Sequence, residues 1–400
     1  MNRRIRLLSL IEDLSFGGDQ ARLLAFARTI DRNRFEHIVA TIRPPAPGRD
    51  AAYGTMHQQY ADAGVEVVNL GERRRNLNTP FPRPARMAYT AIFLLRVALR
   101  LRRFIHQQGI DLVDAHLNVA NLVSVLAGRM TRTPAVVTLY HVTHYIKETR
   151  LHSLGRRLAL ARASAIITDS RARCHDIRSQ VGGSHPPIAM IPNGVFPPAS
   201  TRTRGDLRRA LGLPDDPTIR VIGQVSGLTP FKGHMVLLRA ARLVVAKEPR
   251  THFLCVGYER GNNSYKAHLG KEVADLGLSK HVHITGYPGS IGDVWQTIDI
   301  HAHASLFDSL PNAIIESMSL AKPAVVTSVG GVPEIAEHQK TALVVPPGDP
   351  HALAQALLQL LREPETAQRL GEAARKRYEE RYRPETMTGR LQDLFCEILG

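Results

Sequence analysis

Two carboxylates and one lysine carry the most chemistry in this chain. The stretch Phe307-Asp308-Ser309-Leu310-Pro311-Asn312-Ala313-Ile314-Ile315-Glu316 follows a run that reads as a strand, and Pro311 with Asn312 suits a helix start. Asp308 then lies in the loop and Glu316 roughly one turn into the helix. Carboxylates are poor ligands for an anion, but they accept bidentate hydrogen bonds from vicinal hydroxyls, which suits a sugar and a ribose. The segment Gly223-Gln224-Val225-Ser226-Gly227-Leu228-Thr229-Pro230-Phe231-Lys232-Gly233-His234 runs from a strand into a helix and delivers a single lysine. An ammonium at a helix N-terminus fits a diphosphate, because it neutralises charge that builds on a leaving group. After the next strand, Val329-Gly330-Gly331-Val332-Pro333-Glu334 adds a Gly-rich turn.

The first half is less explicit. Ser15-Phe16-Gly17-Gly18-Asp19 opens a helix after the first strand, where two glycines admit a close ligand and the helix N-terminus offers N–H groups to a phosphate. A plain tight turn explains the glycines equally well. The segment is not the Gly-x-Gly-x-x-Gly fingerprint, and no acidic residue ends the second strand, so an NAD enzyme is not expected. His116, in Asp114-Ala115-His116-Leu117-Asn118, sits at the end of a strand; His141 and His144 follow another. A lone histidine is more often structural, and only this placement marks the three as candidates.

The elements that must position these residues alternate from one end to the other. Strands are expected at Ile5–Ile11, His37–Ile42, Val65–Leu70, Leu112–Ala115, Ala135–Leu139, Ala165–Thr168 and Ile188–Ile191. A second series is expected at Ile219–Val225, Thr251–Val256, His281–Thr285, Ile300–Ala304, Ala324–Thr327 and Ala342–Val345. Helical patterns separate them, among them Gln20–Ile30, Arg86–His106, Met235–Val245, Ser264–Leu276 and Pro350–Leu361. Such alternation predicts parallel sheets covered on both faces. Two series predict an α/β protein of two Rossmann-like doubly wound domains, residues 1–195 and 196–380, joined within Asn193–Arg204. Residues 381–400 are expected to form a helix that packs back on the first domain. Doubly wound sheets bind ligands at the C-terminal ends of their strands, where every segment named above lies.

The chain has 400 residues, 44% hydrophobic and 22% charged, a globular composition that excludes disordered and fibrous classes. Cys174, Cys255 and Cys396 are widely spaced, which argues against a disulfide framework or zinc site and for a reducing compartment. The apolar run near Met1 is too short for a signal peptide, so the cytosol is the expected location. Net charge is +16, and it is uneven: residues 1–199 hold 28 Lys+Arg against 14 Asp+Glu, residues 200–400 hold 24 against 22. That asymmetry points the first half at something anionic. Met87, Ala91, Leu94, Ala98, Leu101 and Ile105 form a helical stripe, which Ile92, Phe93, Leu95 and Leu99 widen and Arg96, Arg100, Arg102 and Arg103 flank. Those arginines interrupt any membrane span. A sheet-covering helix explains the stripe, and a basic surface docking on anionic lipid, together with Arg73-Arg74-Arg75, explains it too. Nucleic acid is not expected, because no reader motif is present and aromatics are 6%.

In their order and spacing these segments resemble the retaining GT-B glycosyltransferases of glycosyltransferase family 4. Asp308 and Glu316 stand at that family's Glu-x7-Glu positions, with Ser309-Leu310-Pro311-Asn312 and Ile315-Glu316-Ser317-Met318 around them. Ile191-Pro192-Asn193-Gly194-Val195, Val329-Gly330-Gly331-Val332-Pro333-Glu334 and Asp111-Leu112-Val113-Asp114-Ala115-His116 complete the resemblance, which covers essentially the whole chain.

The resemblance implies a GT-B fold whose two domains face across a cleft, and a metal-independent hexosyltransferase with no cofactor beyond its nucleotide-sugar donor. It implies that Gly17 and Gly18 approach the donor, that His116 touches the transferred sugar, and that Lys232 binds the diphosphate. Asp308 would bond sugar hydroxyls and Glu316 the ribose, with Gly227, Ser309, Leu310, Pro311 and Asn312 lining the donor site and His141 and His144 near the acceptor or sugar. The implied acceptor is a glycan, a lipid-linked molecule or a secondary metabolite, bound by the first half; the basic balance of that half adds a cytoplasmic enzyme peripheral to the inner face of the membrane as an expectation.

Two positions depart from the pattern: Asp308 is one methylene shorter than the usual Glu, and Gly227 stands where Arg is usual. A missing guanidinium removes ~2 to 4 kcal/mol of leaving-group stabilisation unless Gln224 or a neighbouring arginine replaces it. The competing readings are a silent GT-B partner subunit and a sugar-nucleotide epimerase or phosphorylase.

Overall fold

The computed structural model describes residues 3–15, 17–44, 56–71, 83–139, 150–181, 185–214, 216–259, 264–286 and 290–400. The chain divides into two compact units, Met1–Gly194 with Pro384–Gly400, and Val195–Arg383.

Unit 1 runs β1 (Ile5–Ile11), α1 (Gly18–Thr29), β2 (Phe35–Thr41), α2 (His57–Asp62), β3 (Glu66–Asn69), α3 (Arg83–Gln108), β4 (Leu112–His116), α4 (Asn118–Thr131), β5 (Ala135–Leu139), α5 (Arg150–Arg162), β6 (Ala165–Thr168), α6 (Arg171–Val181) and β7 (Ile188–Met190). Its described strands form a parallel sheet in the order β3-β2-β1-β4-β5-β6-β7. Leu8, Leu10, Ile38, Ala40 and Val113 point to one face and bury against Phe93, Val97, Leu101 and Ile105 of α3 and Ala120, Val123 and Ala127 of α4. Each Val, Leu, Ile or Phe among them, removed from water, contributes about 1.5–3 kcal/mol. Because side chains alternate along a strand, the opposite face presents Ser9, His37, Asp114, His116 and Thr138.

The α3 stripe lies differently from its sequence reading. Phe93, Val97, Ala98, Leu101 and Ile105 are buried, whereas Met87 and Ala91 are exposed. Ile92, Leu95 and Leu99 form an exposed apolar row bordered by exposed Arg96, Arg102 and Arg103. The helix is apolar almost all round at this level, so spacing alone did not choose the face.

Unit 2 runs α7 (Arg204–Ala210), β8 (Arg220–Val225), a 3₁₀ turn at Pro230–Lys232, α8 (His234–Val245), β9 (Thr251–Val256), α9 (Ser264–Asp275), β10 (Val282–Thr285), α10 (Ile291–Thr297), β11 (Ile300–His303), α11 (Asn312–Ser319), β12 (Ala324–Thr327), α12 (Val332–Ile335), β13 (Leu343–Val345), α13 (Pro350–Arg362) and α14 (Pro364–Arg381). Its described strands form a second parallel sheet in the order β10-β9-β8-β11-β12-β13. Ile222, Phe253, Ile300 and Val325 pack under α8 and α13 through Leu237, Ala241, Val244, Leu353 and Leu357. The other face buries Val221, Leu254 and Val256 against Leu207 and Trp295. The last helix, α15 (Pro384–Leu399), belongs to unit 1, where Phe395 meets Phe26 edge-on at 6.0 Å and Gln392 accepts from Asp31 N at 2.7 Å.

Both sheets are doubly wound, and in each the strand order reverses beside the first strand, between β1 and β4 and between β8 and β11. Connections leave to opposite faces at such a point, which opens a crevice between the two strands' C-terminal ends. The loops that enter these crevices are those holding Gly17-Gly18 and His116 in unit 1, and Lys232 and Asp308 in unit 2.

His234 and His301 are fully buried in unit 2, and burial pushes His234 down to about 4 and His301 well below the usual histidine range. A histidine kept neutral in the fold but protonated near 6.5 when unfolded adds stability present above pH 6.5 and lost as the pH falls towards 4. Unfolding free energy from urea titrations is expected to drop across that window, with roughly 3 kcal/mol due to His234 once the loss is complete. His234→Gln should reduce the total loss across the window by that amount, and an unchanged loss would show that His234 does not stay neutral in the fold.

Candidate active site

In unit 2 the two loops at the β8/β11 crevice are tied together by hydrogen bonds of their own. The side-chain amide of Gln224, buried at the end of β8, donates to Lys232 O at 2.8 Å and to Ser226 Oγ at 3.2 Å, and its oxygen accepts from Ala304 N at 3.3 Å. Gln224 is therefore committed to the scaffold and does not replace a missing guanidinium. Gly233 adopts φ +70°, and a Cβ there would stand 1.9 Å from Ala304 O, so only glycine lets the lysine turn close onto the strand beside it.

That closure sets Lys232 against Asp308. Lys232 Nζ donates to Asp308 Oδ2 at 2.6 Å, His303 Nε2 lies 2.9 Å from the same oxygen, and Ser305 Oγ donates to it at 3.2 Å. Ser309 N donates to Oδ1 at 3.2 Å. The two side chains are 19% and 12% exposed. Burial alone would raise the Asp308 carboxyl, but Lys232 and the His303 N–H outweigh it and hold the group well below the usual carboxylate range. With Nε2 turned to Asp308, His303 Nδ1 is buried and has no partner among the described residues.

The Gly-Gly turn after β12 completes the support. Gly331 N donates to Ser309 O at 2.8 Å, and at Gly330, with φ +49°, a Cβ would meet Asp308 O at 1.9 Å. Pro311 caps α11, and Leu310 turns its side chain into the core with Ile314 and Val332, so Leu310 offers a ligand only its backbone. Glu316, on the fifth residue of α11, accepts from Trp295 Nε1 at 2.8 Å. Its burial pushes the carboxyl up, and the indole N–H opposes that shift. Gly227 has no positive φ, and a Cβ there would find only Tyr258 O, at 3.7 Å. Nothing in the backbone requires glycine at this position.

In unit 1 Gly17 caps α1 in extended conformation and Gly18 is its first residue. His116 closes β4, and Leu117 turns the chain at φ +74°, ψ 162°, a region ordinarily left to glycine, before α4 begins. His116 Nε2 lies 2.8 Å from Asp114 Oδ2, and Thr138 Oγ1 donates to Asp114 Oδ1 at 3.3 Å. Ser9 Oγ lies 3.5 Å from Oδ2 and 2.9 Å from His37 Nε2. Burial opposes ionisation of Asp114, yet His116, with Arg22 and His37, holds its carboxyl below the usual value. His116 Nδ1 is buried and without a partner among the described residues. Asn193 is an anchor, its Oδ1 accepting from Arg22 of α1 at 2.8 Å. His141 and His144 lie outside the described residues, as do Arg73-Arg74-Arg75.

The sequence reading missed Trp295, His303, Ser9, His37, Thr138 and the role of Asp114. The unit 1 group had a signal in the polar residues at alternate positions of otherwise apolar strands, since Ser9, Asp114 and Thr138 each sit between buried aliphatics. Trp295 had none. Among the described residues no group of three or more His, Cys, Asp or Glu is placed to hold a metal ion, and no helix is long and apolar enough to cross a membrane.

Two Rossmann-like sheets, each with polar groups gathered at its switch point, define a double-domain protein of the GT-B fold. Residues 17–194 match the family model for the glycosyl transferase 4-like domain, and residues 204–377 the model for glycosyl transferases group 1. The chain is a GT-B glycosyltransferase of the family-4-like type, as its sequence motifs implied. It is 26% identical over 315 residues to the D-inositol 3-phosphate glycosyltransferase of Corynebacterium urealyticum, covering 74% of each chain. It is 26% identical over 295 residues to the putative glycosyltransferase EpsD of Bacillus subtilis, covering 70% of this chain and 75% of that one. The crystal structure of Anabaena Alr3699/HepE in complex with UDP-glucose matches its fold with a TM-score of 0.81 at 20% identity, over 98% of this chain and 100% of that one.

The glycine contacts separate positions that look alike in sequence. Gly330→Ala is expected to lower unfolding free energy by about 2 kcal/mol or more, because the Cβ meets a backbone oxygen at a positive φ. Gly227→Arg should change it by less than about 0.5 kcal/mol. Equal losses in urea titrations would contradict the contacts described.

Proposed function

We propose that the enzyme moves a hexosyl-type sugar from a nucleotide-diphosphate donor with retention of anomeric configuration, and needs no divalent metal to do so. The observation that carries this reading is the Lys232–Asp308 pair at the β8/β11 switch point, one cation and one hydroxyl acceptor where a sugar diphosphate would lie. HepE was crystallised with UDP-glucose, which makes UDP the first nucleotide to test.

An ammonium has three donors, and Lys232 uses one of them on Asp308. The other two are assigned to the diphosphate, and Asp308 and Glu316 to sugar and ribose hydroxyls. Gly17, Gly18 and Gly227 are assigned close approach to the donor, with Ser309, Pro311 and Asn312 lining it. His116 is assigned contact with the transferred sugar through its unpartnered Nδ1. Departure of the diphosphate breaks the bond from the anomeric carbon to phosphate oxygen, and the electron pair leaves with that oxygen beside Lys232. The acceptor hydroxyl then attacks from the same face and gives its proton to the departing diphosphate, so that no protein nucleophile takes part.

The first test is a thermal-shift panel of UDP, GDP, ADP and dTDP followed by transfer assays in EDTA. UDP is expected to raise the melting temperature, transfer to persist in EDTA, and Lys232→Ala to lower kcat on the order of 10²-fold or more. Unchanged turnover in Lys232→Ala would remove the mechanism, and no response to any nucleotide would remove the donor.

The acceptor is proposed to be a glycan, a lipid-linked molecule or a secondary metabolite, met at an anionic membrane surface. Support comes from the basic balance of residues 1–199 and the exposed Ile92, Leu95 and Leu99 row with its bordering arginines. Binding to vesicles containing anionic lipid is expected to weaken at least tenfold in Leu95→Glu/Leu99→Glu while nucleotide affinity is kept. Failure of the unaltered protein to bind such vesicles would sink the membrane reading.

A further inference from the structure

We propose that Trp295 is a positioning residue of the nucleotide site: its indole N–H fixes one oxygen of Glu316 and leaves the other to a ribose. This inference rests on the reading of Glu316 as the ribose acceptor. Trp295 is the chain's one tryptophan and is fully buried, among Leu207, Val221, Leu254, Val256, Val294 and Ile298. An aliphatic or phenyl group would fill such a cluster. An indole brings a polar N–H that is costly to bury unless it has an acceptor, and the acceptor here is Glu316 Oε2 at 2.8 Å.

The carboxylate gains from the same bond. Its surroundings favour the neutral acid, and the Trp295 N–H is the group that opposes them. The anion accepts on both oxygens, whereas the neutral acid turns one of them into an O–H donor, and Oε1 takes no hydrogen bond from the described residues. The indole therefore fixes the orientation of the carboxyl and favours the charged form that hydroxyls would meet.

The helix carrying Trp295 is itself held fast. Ser290 and Asp293 form a capping box at the start of α10. Asp293 also accepts from Ser200 Oγ at 2.7 Å, Thr201 N at 2.6 Å, Thr201 Oγ1 at 3.0 Å and Arg202 N at 2.9 Å. Gly292 lies so close to this segment that a Cβ would stand 2.0 Å from Ala199 O. On its other side the indole meets the His301 ring edge-on at 5.0 Å. A donor group fixed on three sides orders the carboxylate before the ligand arrives, which is what preorganisation of a binding site requires.

The test is a double-mutant cycle of Trp295→Phe and Glu316→Gln in the full chain, read as the Kd for UDP by calorimetry from pH 5.5 to 8.5. Trp295→Phe should raise Kd about tenfold at pH 7 and move upward the pH below which affinity falls. In the Glu316→Gln background the same change should alter Kd less than twofold. Equal losses in both backgrounds would show that the tryptophan acts through packing and overturn the proposal. Unchanged UDP affinity in Glu316→Gln would overturn the ribose reading, and this inference with it. A second measurement needs no variant: tryptophan emission of the unaltered protein, titrated with acid, should change with the same midpoint as UDP affinity. A different midpoint would overturn the coupling even if Trp295→Phe does not fold.

Discussion

The ion pair of Lys232 and Asp308 is the constraint around which unit 2 is arranged. Removing a carboxylate and an ammonium from water costs several kcal/mol per ion, and attraction between them offsets this only with good geometry and further hydrogen bonds. The structure supplies both. His303, Ser305 and Ser309 add donors to the carboxylate, Gln224 holds the carbonyl of Lys232, and Gly233 and Gly330 let three loops approach more closely than any Cβ allows. None of these residues has to touch a ligand to matter, because each fixes where the two charges sit. A switch point in a parallel sheet makes this affordable, since it is the place where loops from neighbouring strands already converge.

Unit 1 solves a related problem without a lysine. Its buried carboxylate, Asp114, is balanced by His116 next to it on the same strand face, with hydroxyls from Thr138 and Ser9 around it. The bond to Nε2 orients the His116 ring and leaves Nδ1 without a partner among the described residues. A carboxylate two residues before a histidine in a strand must share its face, so the pairing follows directly from the two-residue period of β structure. The unusual φ of Leu117 follows from the same need, since the chain must turn immediately after His116 to begin α4.

How much of this was legible in the sequence depended on the range of the interaction. Ile5–Ile11, Ala135–Leu139, Ala165–Thr168, Thr251–Val256 and Ala324–Thr327 have the bounds that their β-branched runs indicate, because a strand buried on both faces is mostly apolar. Alternation of strand and helix then dictates two doubly wound sheets, and their order dictates which loops meet. The exposed and buried faces of α3 were not legible, because Ile92, Leu95 and Leu99 put apolar residues among the arginines of its exposed side as well. Trp295 was invisible for another reason. Its partner Glu316 is 21 residues away on a different helix, and no local pattern announces a contact between two helices separated in sequence by a strand.

The two departures from the family pattern fall at the same crevice. With Gly227 in place of an arginine, one cation fewer is available, and the backbone there would accept a larger side chain. With Asp308 in place of a glutamate, the carboxylate is short enough to be held back on Lys232 and His303. The first lowers the positive potential at the crevice by removal; the second leaves the charge count unchanged and shortens the reach of the carboxylate. On the proposed reading, a diphosphate gains less from Coulomb attraction here, and a larger share of donor affinity falls to directional hydrogen bonds at the ribose. Such bonds discriminate by geometry and depend little on ionic strength, whereas attraction between charges weakens with salt. The orientation of Glu316 then matters more than it would beside two cations, which gives a physical reason for a buried indole N–H to be spent on holding it.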